Sequence, residues 1–157
     1  MRNNGFSMME LMVVLAVIAI LALMAVPNYS NKIVRDQIVE ALPLADIAKT
    51  PLAASWTTTR TFPADNAGAG LPAADRIVNN FIRSVSIRDG AIDITFGNRA
   101  HAMLNNKILT IRAAVVADAP IVPVTWVCGY AAAPSPMTLR GTNNTDIPVE
   151  YLPLKCR

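Results

Sequence analysis

Gly5-Phe6-Ser7-Met8-Met9-Glu10 runs directly into Leu11–Val26, LMVVLAVIAILALMAV, and the reading of this stretch decides the rest. Leu11–Val26 has no charged or strongly polar side chain. It concentrates the apolar excess of a chain that is 53% hydrophobic and 16% charged over 157 residues. Phe6–Val26 is 21 residues; as a helix it spans about 31 Å at ~1.5 Å per residue, close to the roughly 30 Å hydrocarbon core of a membrane. Two ordinary readings fit in part. A secretory signal peptide would use Arg2 as its basic end and Leu11–Val26 as its core. That core is long, it opens on a carboxylate, and Leu23-Met24-Ala25 is a weak cleavage site. A plain membrane anchor accounts for the length but leaves Glu10 unexplained, because an ionisable group in such a segment is costly and usually functional.

A third reading accounts for more residues. A short basic leader ending in Gly5, then Phe6, then Glu10, then an unbroken apolar helix resembles the processing site of type IV prepilins. The resemblance implies a leader of Met1–Gly5, cleavage after Gly5 by a prepilin peptidase, and an N-methylated Phe6 as the new terminus. Glu10 then stands fifth in the processed chain. Pro27 falls where these pilins commonly carry a proline, whereas Ala19 stands where the family often has a glycine. Physically, cleavage converts an uncharged Phe6 amide into an amine that is protonated near neutral pH, and methylation keeps the charge. That cation lies one helical turn from the Glu10 anion. In a low-dielectric setting each needs a partner. Pairing Phe6 of one subunit with Glu10 of another would set the axial register of stacked helices; an intramolecular pair would satisfy the charges without organising anything. The resemblance favours the intermolecular version, and its main product is specificity of assembly rather than net stability.

The remaining chain reads as one domain. Of 14 basic and 11 acidic residues, 13 and 10 lie from Asn31 onward, once Arg2 and Glu10 are set aside. This surplus of +3 is too small and scattered to demand an anionic partner. After Pro27 the helix turns amphipathic. Val34, Ile38, Ala41, Ala45, Ala48 and Leu52 recur at three- and four-residue spacing, with Arg35, Asp36, Glu40, Asp46 and Lys49 on other faces. The expected element is one long helix from Phe6 to about Trp56, kinked or interrupted at Pro27, bent at Pro43 and Pro51, and ended by Thr57-Thr58-Thr59. A loop rich in Pro, Ala, Gly and Asn follows over 61–74. Phe81, Val85 and Ile87 alternate with Ser84, Ser86 and Arg88; Asp89-Gly90 reads as a tight hairpin turn; Ile92, Ile94 and Phe96 return. Leu109, Ile111, Ala113 and Val115 suggest a third strand, and Val122, Val124, Trp126 and Cys128 a fourth. The fold class is therefore α+β: a long N-terminal helix on a four-stranded antiparallel sheet, with a C-terminal loop bounded by Cys128 and Cys156. The divisions are a leader over 1–5, an apolar helix over 6–27, its amphipathic half over 28–57, a connection over 58–80 and a head over 81–157.

Two cysteines behind an export-type segment point to a Cys128–Cys156 disulfide, with a pair of free thiols as the competing reading. The segment 128–156 resembles the pilin D-region, which in that family is exposed on the filament, and Tyr151–Arg157 resembles pilin tails from Gram-negative bacteria. His101 is the sole histidine and has no Cys or second His near it, so no metal or cofactor is expected. Asp89, Asp93 and Asp118 do not form a calcium loop. Gly68 and Gly70 are not a phosphate loop, and Ser84 and Ser86 alternate outward with no triad partners. The chain is not expected to be an enzyme. Asn143-Asn144-Thr145 matches a glycosylation sequon and is better placed as a turn.

The resemblance implies a homo-oligomeric helical filament at the cell surface, used for adhesion, twitching motility or DNA uptake. It implies an inner-membrane stage beforehand and dealings with the prepilin peptidase, the pilus assembly machinery and minor pilins. DNA and a host surface are further partners it allows. Arg83, Arg88, Arg99, Lys107 and Arg112 would supply a basic stripe for DNA in a minor pilin acting as an uptake receptor; a solvated sheet face is the ordinary alternative. A type II secretion pseudopilin is disfavoured by Cys128 and Cys156, since the main pseudopilins commonly lack this disulfide region and often bind calcium. A membrane-anchored periplasmic binding module would need neither cleavage after Gly5 nor a carboxylate at Glu10.

Overall fold

The computed structural model describes residues 5–157; of residues 25–28 and 30 only the backbone course is described. Two compact units divide at Ile33/Val34. Helix α1 spans Met8–Ala41. The helix is not ended at Pro27, one of the two outcomes expected there; the Pro27 side chain lies outside the described residues. Within the first unit, every described side chain from Phe6 to Met24 is exposed.

In the second unit the amphipathic stripe is the core. Val34, Ile38, Ala41, Ala45, Ala48, Leu52 and Trp56 are all buried, at helical spacing. The single long helix, however, is divided. At Pro43 the α-helix gives way to a 3-10 turn, Leu42–Ala45, and resumes as α2, Asp46–Thr59. The missing Pro43 N–H and its ring disfavour α geometry there. Pro51 sits inside α2 without ending it, because Ala48, Leu52 and Trp56 hold that turn on the core. The threonines do mark the end. The hydroxyls of Thr57, Thr58 and Thr59 donate back to carbonyls of Ala53, Ala54 and Ser55, and Arg60 adopts a left-handed conformation with its N–H on the Trp56 carbonyl.

The sheet is antiparallel. Strands β1 (Ile82–Arg88), β2 (Ala91–Phe96), β3 (Ile108–Val115) and β4 (Thr125–Cys128) lie in sequence order, and a two-residue β5 (Thr138–Leu139) pairs with β3. Asp89 and Gly90 have φ of 49° and 89°, the doubly left-handed geometry of the expected two-residue hairpin. Val85, Ile87, Ile92, Ile94, Leu109, Ile111 and Cys128 stand in register across the strands and join the helix stripe in one cluster. Burying each large aliphatic is worth roughly 1.5–3 kcal/mol, so this face holds the fold together.

Two expectations for the strands are corrected. The face of β1 was read through Phe81, yet Ile82 is fully buried and Phe81 only half. An extra residue in β1, between Ile82 and Ser84, shifts the pairing with β2 and reverses the alternation. The fourth strand starts at Thr125, without Val122 and Val124, since Pro120 and Pro123 have no N–H for a ladder. The loop over 61–74 also covers the edge of the sheet. Asn66 is buried; its Nδ2 donates to the Val85 carbonyl, and its Oδ1 accepts from the Ile87 N–H. One side chain thus pairs two backbone groups on the free edge of β1, a position that invites strand addition if left bare.

The sheet's second face is not solvated either. Asp93 alternates with the core-facing Ile92 and Ile94, yet it is buried and accepts from Thr110 Oγ1, Arg88 Nη2 and Asn144 Nδ2. The segment 143–146 lies along β3: the Thr110 N–H donates to Thr145 Oγ1, and the Asp146 N–H donates to the Ile108 carbonyl. Asp93→Ala would leave Arg88, Thr110 and Asn144 without their acceptor. It is expected to cost about 2–4 kcal/mol in denaturant titration; a loss below about 0.5 kcal/mol would show the carboxylate to be a bystander.

Candidate functional site

Two regions hold the residues the sequence singles out. The first is the start of α1. The Ser7 hydroxyl accepts from the Met9 N–H at 3.3 Å, and the Ser7 carbonyl accepts from the Leu11 N–H at 3.2 Å. Ser7 is therefore the helix N-cap, which sequence reading missed. Ser7 and Glu10 have the Ser-x-x-Glu spacing of a capping box, the signal that could have found it. Glu10 lies in the first turn of α1, exposed, where a carboxylate also meets the positive end of the helix dipole. Phe6 is 74% exposed. Gly5 has open space around the position a Cβ would take, among the described residues. Met1–Asn4, the remainder of the leader, lie outside the described residues. Among the described residues no helix is long and apolar enough to cross a membrane. The apolar run ends on Ala25 and Val26, whose side chains fall outside that set.

The second region is the C-terminal loop. Cys128 and Cys156 are joined as a disulfide with a Cα–Cα distance of 4.5 Å, and both are buried. The Tyr130 N–H donates to the Cys156 carbonyl, and the Arg157 Nε donates to the Leu152 carbonyl. Arg35 on α1 donates to the Glu150 carbonyl, so the tail is tied to the helix as well as to β4. Gly129 is required here. Its φ is +59°, and a Cβ would lie 2.4 Å from the Cys156 carbonyl oxygen. The sequon is a turn: Asn143 Oδ1 accepts from the Thr145 N–H while its Nδ2 donates to the Gly129 carbonyl.

The basic residues do not form a free stripe. Arg88 binds Asp93, Lys107 lies 3.4 Å from Asp146, and Arg112 donates to the Gly129 carbonyl. Arg83 donates to Asn106. Arg99 is exposed. His101 lies in the connection between β2 and β3, with its Nδ1 accepting from the Met103 N–H. Among the described residues no three His, Cys, Asp or Glu side chains gather as a metal site requires.

Comparison with known proteins agrees with this arrangement at both ends. Residues 34–157 match the family model described as pilin, a bacterial filament protein, and residues 1–26 match the prokaryotic N-terminal methylation motif. The chain is 28% identical to the fimbrial protein of Neisseria meningitidis serogroup B, covering 98% of this chain and 93% of that protein. It is 28% identical to the type IV major pilin protein PilE of Neisseria gonorrhoeae, with the same coverage. It is 32% identical to the fimbrial protein EcpC of Eikenella corrodens, over 98% of this chain and 90% of that one. A helix on an antiparallel sheet, a disulfide-closed C-terminal loop and the methylation motif thus come together, and the chain belongs to the pilin family as a type IV pilin, a structural subunit of the pilus.

Proposed function

We propose that this pilin is made as a membrane-held precursor, cleaved after Gly5 and methylated on Phe6. Its subunits then join by pairing the Phe6 amine of one with the Glu10 carboxylate of the next. The observation that carries this is Glu10 itself: it is the only charged side chain between Phe6 and Asn31, on a helix whose other side chains from Met8 to Met24 are all apolar and exposed. Exposed apolar surface of this extent is unfavourable in water, so the segment belongs first in lipid and then against other copies of itself. A lone carboxylate there calls for a cation, and proteolysis after Gly5 supplies one. Nothing described around Gly5 needs a glycine for packing, which supports a requirement imposed by the peptidase instead. The role is that of a bulk filament subunit serving adhesion or twitching motility, with no catalytic activity. Arg88, Lys107 and Arg112 each already have a partner within this chain, which favours this role over that of a DNA-uptake receptor.

Mass spectrometry of sheared surface filaments tests the processing step. The expected mass is that of a chain beginning at Phe6, one methyl group heavier and two hydrogens lighter than the reduced, unmodified sequence. A chain beginning at Met1, or near Val26, would refute it.

A further inference from the structure

We propose that the cleft at the C-terminal end of α2 is a binding site for a carboxylated sugar, one acid group flanked by hydroxyls. It lies wholly within the second unit and is independent of the Phe6–Glu10 pairing. The cleft has a volume of about 360 Å³ and is lined by Trp56, Arg60, Thr61, Phe62, Asp89 and Arg140. That lies within the roughly 300–1,000 Å³ typical of small-molecule sites.

Distant parts of the sequence build it. Ala114 pairs with Thr125 of β4 on one side and with Leu139 of β5 on the other. Hence β5 extends the β2 side of β3, past the point where β2 begins at Ala91. The Arg140 N–H continues that pairing onto the Ala113 carbonyl, which sets Arg140 beside the Asp89-Gly90 turn. Gly90 is what allows it, since a Cβ there would lie 2.9 Å from Phe62 and 3.0 Å from Arg140. Phe62 stacks on Trp56 at 5.3 Å, and the Arg140 guanidinium lies 5.3 Å from the Trp56 ring centre.

The polar inventory of this cleft is unbalanced toward donors. Trp56 is 4% exposed, yet its Nε1–H has no hydrogen-bond partner; the Arg140 Nε–H is likewise buried without one. Buried donors are normally satisfied. Arg60, the left-handed cap of α2, is exposed and makes no side-chain hydrogen bond or ion pair among the described residues. Two guanidiniums line one cleft beside an indole whose buried N–H is unpartnered, and together they ask for an acceptor-rich anion. Asp89 narrows the class. Its carboxylate lines the same cleft, so a bare anion is partly repelled, whereas a ligand with hydroxyls beside its acid group can donate to Asp89 while its carboxylate meets the arginines.

The test uses the full ¹⁵N-labelled chain in detergent micelles, following the Trp56 indole N–H resonance, with Trp126 as the internal control. Glucuronate is expected to move the Trp56 resonance saturably and leave Trp126 in place, and glucose at the same concentrations to move neither. Arg60→Gln, at an exposed position, should weaken glucuronate about tenfold, the effect of losing one charge-assisted hydrogen bond. Asp89→Asn keeps a residue that tolerates the turn's positive φ. It should weaken glucuronate and tighten inorganic phosphate. The proposal is overturned if glucose binds as well as glucuronate, if Asp89→Asn tightens both anions, or if glucuronate leaves the Trp56 resonance unmoved.

Discussion

Glu10→Gln is expected to lower filament yield by about a hundredfold while leaving the subunit folded and inserted in the membrane. The glutamine keeps the shape and the Ser-x-x-Gln form of the capping box, so the start of α1 should persist. It removes a charge from an apolar segment, which makes insertion easier rather than harder. What it cannot do is neutralise the Phe6 ammonium of a neighbour. An ion left unpaired in a dry interface costs roughly 3–5 kcal/mol, which converts to a loss of two orders of magnitude or more per junction. Counting sheared filaments against membrane-held subunit by immunoblot separates these effects. A yield within about twofold of the parent would assign Glu10 to helix capping alone.

Replacing Cys128 and Cys156 together by serine is expected to lower the stability of the head by about 3–4 kcal/mol, the chain entropy released by opening a loop of sequence separation 28. For a unit of this size that is a fall in Tm of roughly 10–15 °C in calorimetry. The bond has local allies: the Tyr130 N–H on the Cys156 carbonyl, Gly129 against that same carbonyl, and Arg35 on the tail. They depend on the last turn staying docked, so hydrogen exchange should rise first over 149–157. A fall of less than about 3 °C would mean that those contacts, not the disulfide, hold the tail.

The parts of this fold that are local in sequence were legible in it. The helix stripe from Val34 to Leu52 depends only on spacing, and each member is buried. Asp89-Gly90 depends only on which residues accept left-handed backbone, and both do. The Gly5–Glu10 string is likewise read without knowing what surrounds it. The features that escaped depend on partners far along the chain. Asp93 alternates correctly for an exposed position. Only the return of 143–146 over β3 buries it, and nothing near residue 93 announces that return. Asn66 looks like any loop asparagine until the β1 edge is beside it. The extra residue near Arg83 inverts the face of β1 for reasons that lie in its pairing with β2. Trp56 and Arg140 stand far apart in sequence and meet only because β5 crosses the end of the hairpin.

The most direct test of how these subunits join is the distance, in a reconstructed filament, between the Phe6 nitrogen of one subunit and the Glu10 carboxylate oxygens of its neighbours. The expected value is an ion pair within about 4 Å, made between different copies. Glu10 bonded only within its own chain, or facing an uncharged neighbour while the Phe6 amine lies elsewhere, would contradict the account.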